Sequence, residues 1–145
     1  MSVSKIIKYI VIAFLMKTSI GLYMSFENYE NIRQHLASNA RYTDLKDLQE
    51  EITADIFIAE TERVWAEEMA KFKAMMKKNG WEGRTQMLKS KEQVGEAWKR
   101  ASSVFLDQLK VPGAKLYKYR SGSGSGRVYG YIIIQKDATR YWLSL

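Results

Sequence analysis

Residues 44–78, DLKDLQEEITADIFIAETERVWAEEMAKFKAMMKK, contain neither proline nor glycine. Their apolar side chains recur at steps of three and four, the spacing of an amphipathic helix, at Leu45, Leu48, Ile52, Ile56, Ala59 and Phe72. Thr43 or Asp44 can cap the start of such a helix, and lysines followed by Gly80 suit its end. The pattern predicts one helix about 50 Å long, at about 1.5 Å per residue, whose apolar side the rest of the chain must cover.

Two shorter helices are predicted on either side of this long one. The first covers residues 27–40 and has a thin apolar stripe. The second covers residues 86–110, ends before a Pro-Gly pair, and carries Trp98 in the middle of its apolar stripe, where we expect a core residue. Gly95 in its interior costs about 1 kcal/mol relative to alanine, so we expect a close crossing with the long helix there.

The last thirty residues fit two structures. Residues 121–126 alternate strictly between serine and glycine, which is typical of a flexible loop. The stretches 115–120 and 127–134 are rich in aromatic and β-branched residues and would suit a β-hairpin around that loop. A helical stripe is equally possible, because apolar or small residues also recur at Tyr131, Ile134, Ala138, Tyr141 and Leu145.

Residues 1–21 have the features of a secretion leader. Lysines precede an eight-residue apolar run, and Ser19-Ile20-Gly21 offers small residues for cleavage before Leu22. The alternatives are an uncleaved interfacial anchor and an ordinary buried helix, since the apolar run is too short to span a bilayer. We therefore expect a single domain over residues 22–145, and membrane contact only through residues 1–21 if they stay attached.

The composition excludes several kinds of site. There is no cysteine, and His35 is the only histidine, so neither a disulfide framework nor a usual zinc site can form. We expect His35 to be a half-exposed surface residue. The Ser-Gly loop lacks the ending of a P-loop and matches no dinucleotide motif. No catalytic residue, cofactor or metal is predicted.

Charge is distributed unevenly along the chain. Residues 26–69 hold eleven acidic and four basic side chains, whereas residues 70–145 hold sixteen basic and five acidic ones. In an antiparallel packing these halves would partly neutralise each other, which we favour over a nucleic-acid-binding surface. The helix macrodipole explains part of the acidic excess in the long helix. The alternative explanation is an acidic ridge that contacts a cationic partner.

Several short motifs after Glu60 form a pattern shared with a known family. An acidic helix ends in Met75-Met76, a second helix carries Leu88 and Ala97-Trp98, a loop contains Gly124-Ser125-Gly126, and Tyr131 and Thr139 follow. In this order they resemble the LprI-type family of small secreted helical proteins, which includes lysozyme inhibitors. The chain departs from the family at Gly95, where the family has glutamine, and at Ser102-Ser103, where it has Arg-Asp. It also lacks the family's cysteine pair.

The resemblance implies an all-α bundle and a secreted, non-catalytic protein, and it favours a helix over residues 128–145. The family's cysteines fall at Leu106 and Ile134, so two aliphatic side chains would pack where a disulfide would lie. We accordingly expect both residues to share one core with Trp98 and Phe105. The expected fold is a small antiparallel helical bundle, with an α+β fold ending in a β-hairpin as the alternative.

The expected function is that of a periplasmic or secreted binding protein that inhibits a lysozyme-like cell-wall hydrolase, or neutralises it as an immunity protein would. Such inhibition requires a contact surface and no catalytic residue. The predicted partner contacts are Glu60, Glu67, Glu68, Ser125 and Gly126. The alternative is an interaction module whose basic half binds an anionic polymer or a membrane. No nucleic-acid partner is expected.

Overall fold

A computed structural model describes residues 28–122 and 126–145, and every structural statement below concerns these residues. Their elements, in chain order, are α1 (Tyr29–Ala40), a 3-10 turn (Leu45–Asp47), β1 (Leu48–Ile52), α2 (Ala54–Lys78), α3 (Thr85–Asp107), a second 3-10 turn (Gln108–Lys110), β2 (Lys115–Ser121), β3 (Val128–Ile134) and β4 (Arg140–Ser144). The predicted leader, residues 1–21, lies outside the described residues. No described helix is long and apolar enough to cross a bilayer.

The expectation of an all-α bundle is wrong, because the four strands form an antiparallel sheet in the order β1-β2-β3-β4. The helix expected over residues 128–145 is replaced by β3 and β4, and β2 pairs with β3 as the alternative hairpin required. In β3 the consecutive residues Tyr131, Ile132 and Ile133 are all buried. A strand covered on both faces has no alternation of apolar and polar residues, so its periodicity does not distinguish it from a helix.

The long helix begins ten residues later than predicted. Thr53, not Thr43 or Asp44, caps α2, and its hydroxyl accepts a hydrogen bond from the Ile56 N–H at 3.3 Å. The preceding residues form β1, whose pairing with β2 contains a register shift between Leu48 and Glu51. Because of this bulge, Leu48 and Ile52 pack into different core clusters although they are four residues apart. Their spacing imitates a helical stripe.

The main core lies between one face of the sheet and the helices. Phe57, in the first turn of α2, is at its centre and is 1% exposed. Its ring meets Tyr131 of β3 edge-on, with 4.7 Å between centroids, and lies 5.6 Å from Phe105 of α3. The side chains buried in this cluster are Ile32, Leu36, Ile52, Phe57, Ala101, Val104, Phe105, Leu116, Tyr131, Ile133, Tyr141 and Leu143.

The opposite face of the sheet is covered by the segment 41–47 that joins α1 to β1. Arg140 of β4 donates a hydrogen bond to the Thr43 carbonyl, and the Tyr119 hydroxyl of β2 accepts one from the Asp44 N–H at 3.1 Å. Beneath this segment Tyr119, Ile132, Trp142 and Ala40 form a second, smaller cluster. Ile134 packs here, whereas Trp98, Phe105 and Leu106 pack with the main core, so the expectation that all four share one core is wrong.

Helices α2 and α3 form an antiparallel hairpin joined by residues 79–84, and Gly80 was expected after the end of α2. Gly80 takes a positive φ of 68° there, and the Trp81 N–H donates to the Met76 carbonyl at 2.8 Å. The close backbone crossing expected at Gly95 is not seen; instead the Trp65 indole of α2 occupies the space where a Cβ of residue 95 would lie. Glycine is therefore required at this position by packing.

We expect Gly95→Ala to lower the free energy of unfolding by about 1–3 kcal/mol, as overpacking does, although alanine is the better helix former. Urea unfolding measures the change. Gly83→Ala is the control, since a Cβ at Gly83 meets nothing within 4 Å. A Gly95→Ala protein as stable as the wild type would show that Trp65 does not pack on this residue.

Candidate functional site

A cleft of about 460 Å³ opens between α2 and α3 at the end of the hairpin nearer the sheet. Its lining is mostly apolar and consists of Phe57, Ile58, Thr61, Trp65, Gly95, Trp98, Ser102, Ser103 and Leu106, with Glu62 and Lys99 as its charged members. The volume lies within the range of about 300–1,000 Å³ that is usual for ligand sites. The cleft can therefore receive a small molecule or a side chain of another protein.

Helical spacing explains why the two helices leave this space. On α2, Ile58 and Trp65 are seven residues apart and so lie on one side, and on α3, Gly95 and Ser102 are also seven apart. Two small residues on the same side of α3 face larger ones on α2. Trp65 packs onto Gly95 and joins the two helices at that position. The space beside Ser102 is not filled by a side chain and forms the cleft.

Ser102 is the unusual residue of the cleft. It is 8% exposed, and its Oγ is the one buried side-chain polar atom of the described residues that lacks a hydrogen-bond partner. A helical serine commonly donates to the carbonyl four residues earlier, but this hydroxyl does not. A buried, unpaired polar group costs about 1–3 kcal/mol. A ligand atom that bonded this hydroxyl would remove that cost.

The apolar edge of the cleft combines one fixed ring with one exposed side chain. The Trp98 indole stacks on Phe57 with 6.4 Å between centroids, and its Nε1–H donates to the Ser144 carbonyl at 3.3 Å. Trp98 is half-buried, so it contributes both to the core, as predicted, and to the cleft wall. Ile58 is 40% exposed on the opposite wall.

Glu60, a predicted partner contact, instead belongs to a polar cluster between α2 and the sheet. The Tyr131 hydroxyl donates to its Oε2 at 2.9 Å, and the Lys118 ammonium contacts its Oε1 at 2.5 Å and Glu50 at 3.1 Å. Burial alone would raise the pKa of Glu60, but the hydrogen bonds from Lys118 and Tyr131 outweigh it and lower the pKa. The same bonds to Glu60 and Glu50 raise the pKa of Lys118. Glu60 is thus committed to intramolecular bonds.

Among the described residues, the predicted contacts Glu67, Glu68 and Gly126 do not line the cleft. Glu67 is exposed and paired with Arg63 at 2.9 Å, and Glu68 is half-buried. Gly126 is exposed near the start of β3, and Ser125 lies outside the described residues. The β2–β3 hairpin and α2 share a shallower depression of about 320 Å³, where the acids Glu50 and Glu60 meet three basic side chains, Arg63, Lys118 and Arg120. His35, as expected, is half-buried on α1.

Sequence reasoning missed the cleft residues Ile58 and Ser102. Ile58 lies off the apolar stripe predicted for the long helix, which passes through Ile56 and Ala59, and Ser102 carries no chemical motif. The available signal was the pair Gly95 and Ser102, two small residues seven positions apart on the same side of one helix. The family's cysteine positions, Leu106 and Ile134, pack in different clusters on the two faces of the sheet.

We expect Glu60→Gln to lower the free energy of unfolding at neutral pH. The further decrease in this free energy on acidification should be smaller in the variant than in the wild type. The pKa of Glu60 in the folded protein lies below its ordinary value of 4.5, so its stabilising effect is present above that pH and disappears as the pH falls through the folded-state pKa. Thermal melting from pH 7 to pH 3 measures this. Glu62→Gln, an exposed neighbour on the same helix, should keep the wild-type pH profile. Identical profiles for both variants would contradict the Glu60 cluster.

We expect Ser102→Ala to leave the protein as stable as the wild type or to stabilise it by about 1 kcal/mol, because it removes a buried group that has no partner. Ser103→Ala, at the exposed neighbouring position, corrects for the better helix propensity of alanine. Chemical unfolding of both variants gives the comparison. A clear loss of stability in Ser102→Ala alone would mean that the hydroxyl is already bonded.

Comparison of the chain with protein-family models, curated proteins and solved structures found no match. The likeness to the LprI-type family therefore stays a resemblance carried by the motifs quoted above. A function has to be argued from the cleft and from the charges around it.

Proposed function

We propose that this protein binds another protein without catalysis, and that the cleft between α2 and α3 receives an apolar side chain of that partner. The observation that carries the proposal is the mostly apolar cleft of about 460 Å³, whose walls include Trp98 and the exposed Ile58. An inserted aromatic side chain would bury its ring against these two residues. Aromatic residues of this kind are the usual anchors of protein interfaces.

Charges at the rim of the cleft favour a cationic partner. Glu62 lines the cleft, and Asp55 lies two turns earlier on the same side of α2. Both side chains are exposed and form no ion pair with the described residues, whereas Lys99 on the other rim lies 3.9 Å from Glu96. Acidic rims speed the encounter with basic proteins. The proposed partner contact therefore lies on the opposite side of α2 from Glu60, the contact predicted from the sequence.

For the partner we propose a lysozyme-like cell-wall hydrolase that the protein inhibits in the periplasm or outside the cell. The choice of hydrolase comes from the LprI-type resemblance, and the acidic rim supports a cationic target. Inhibition would follow from covering the substrate-binding groove of the hydrolase, which needs no reacting group on this chain. The predicted contacts Glu67, Glu68, Ser125 and Gly126 stay predictions for the periphery of such an interface.

The test uses a matched pair of substitutions on α2. Ile58 and Ile56 are 40% and 44% exposed, but only Ile58 lines the cleft. We expect Ile58→Asp to weaken inhibition of a cationic lysozyme at least tenfold, because a buried carboxylate at the anchor site is unfavourable. Ile56→Asp makes the same change of charge outside the cleft and should inhibit as the wild type does.

Enzyme assays and calorimetric titration against the lysozyme should be run together. Absence of both binding and inhibition by the wild type would remove the hydrolase as the partner. Equal effects of Ile58→Asp and Ile56→Asp would place the contact away from the cleft. Melting curves of both variants establish that any lost inhibition does not come from unfolding.

A further inference from the structure

The far end of the α2–α3 hairpin carries a concentration of exposed cations. We call it the basic tip, and it consists of Lys71, Lys73, Lys77, Lys78, Arg84 and Lys89. Between residues 69 and 91 the only acidic side chain is Glu82. None of the six cations lies within 4.0 Å of a carboxylate of the described residues. Elsewhere in these residues, most ion pairs join side chains three or four positions apart on a helix, so such pairs could have formed here if acids had been present. The positive charge of the tip is therefore not neutralised locally.

Helix stability explains only part of this concentration. Lys77 and Lys78 stand at the carboxyl end of α2, where the helix macrodipole favours cations. The amino end of α3 lies at the same tip, and there the macrodipole disfavours them. Arg84 nevertheless occupies the capping position, no side chain caps α3, and its first turn has no acid. By contrast, α1 and α2 begin with side-chain caps and an acidic residue.

The cations surround the tip instead of following one side of the hairpin. Lys71 and Lys78 are seven residues apart on one side of α2, whereas Lys73 and Lys77 lie four apart on another. Lys71 and Lys78 are separated along the helix by about 10 Å, at about 1.5 Å per residue. This is close to the Debye length of about 8 Å at physiological salt, so a flat surface touching the tip would attract all of them.

We propose that the basic tip docks end-on on an anionic lipid bilayer. Cations around a blunt end suit a plane of headgroups, whereas a linear polyanion would need them in a row along one side. Trp81 and Met76 are buried at the turn, and Met75 and Met87 are half-buried, so no large apolar side chain stands out for insertion and the contact involves the headgroups. Each basic residue near an anionic surface contributes about 1 kcal/mol, which makes the docking reversible and sensitive to salt.

The basic tip is one part of the basic half for which the sequence left an anionic polymer and a membrane open as partners, and it is separate from residues 1–21. Its docking on lipid is independent of the proposed function and compatible with it. The cleft residues Trp65 and Ile58 lie about 20 and 30 Å from Lys78 along α2, at about 1.5 Å per residue. A protein standing on its tip would hold the cleft away from the lipid, open to a partner.

The experiment measures flotation of the full chain with phosphatidylglycerol-containing vesicles and with pure phosphatidylcholine vesicles, at low and at high salt. The tip variant carries four Lys→Gln changes, at Lys71, Lys73, Lys77 and Lys78. The control variant carries four Lys→Gln changes at exposed positions elsewhere, Lys46, Lys110, Lys115 and Lys136. Both lower the formal net charge from +7 by four, and both retain residues 1–27.

We expect the wild type and the control variant to bind the anionic vesicles at low salt, and the tip variant to bind at least a hundredfold more weakly. A loss of about 1 kcal/mol, or about fivefold, per lysine would give about 600-fold for the four together, so a hundredfold loss is the lower limit. If both variants bind the anionic vesicles equally weakly, binding depends on net charge and not on the basic tip, and the proposal is overturned. Tighter binding of the wild type to soluble polyphosphate than to vesicles, with the same dependence on the tip lysines, would overturn it in favour of an anionic polymer.

Discussion

The packing of one aromatic ring, Phe57, joins the parts of this protein. The ring lies in the first turn of α2, contacts Tyr131 on the sheet, and lies against Phe105 and Trp98 on α3. Three elements distant in sequence thereby meet at a single side chain that is almost fully buried. The hydroxyl of Tyr131 reaches Glu60, one turn further along α2, so the same contact also orients the polar cluster with Lys118. The position of α2 over the sheet depends on this contact, and so do the walls of the cleft.

The two long helices serve different purposes at their two ends. Near Phe57 they are separated enough to leave a cleft, and its shape is set by Trp65 resting on Gly95. In their middle, the buried Lys91 keeps its ammonium over the rings of Trp65 and Phe72, 5.5 and 5.7 Å from their centroids, which joins the helices through cation–π contacts. At the turn the surface becomes strongly basic. One hairpin can thus present an apolar anchor site and a charged surface at separate places.

The helical part of the fold could be predicted from sequence better than the sheet. Helices α1 and α3, the turn at Gly80 and the packing of α2 against Gly95 follow from local signals of capping, spacing and residue size, although the contact at Gly95 is made by the Trp65 side chain. The sheet was missed because β1 has a bulge that gives Leu48 and Ile52 a helical spacing, and because β3 is buried on both faces. The partner of β1 also lies far along the chain, since Leu48 pairs with Tyr119. Of the candidate site, only Trp98 and Gly95 could be selected from sequence, since an unpaired Ser102 hydroxyl is visible only in three dimensions.

The bulge in β1 has a consequence for how this sheet behaves towards other molecules. β1 is an outer strand, so one side of its backbone has no partner strand within the sheet. Long, flat outer strands are templates on which a second copy can add, and that is a common origin of aggregation. Here the outer strand is only five residues long, is irregular, and carries Glu50 and Glu51 at its centre. An approaching copy would meet like charges and a twisted backbone, which protects this edge of the sheet against edge-to-edge growth.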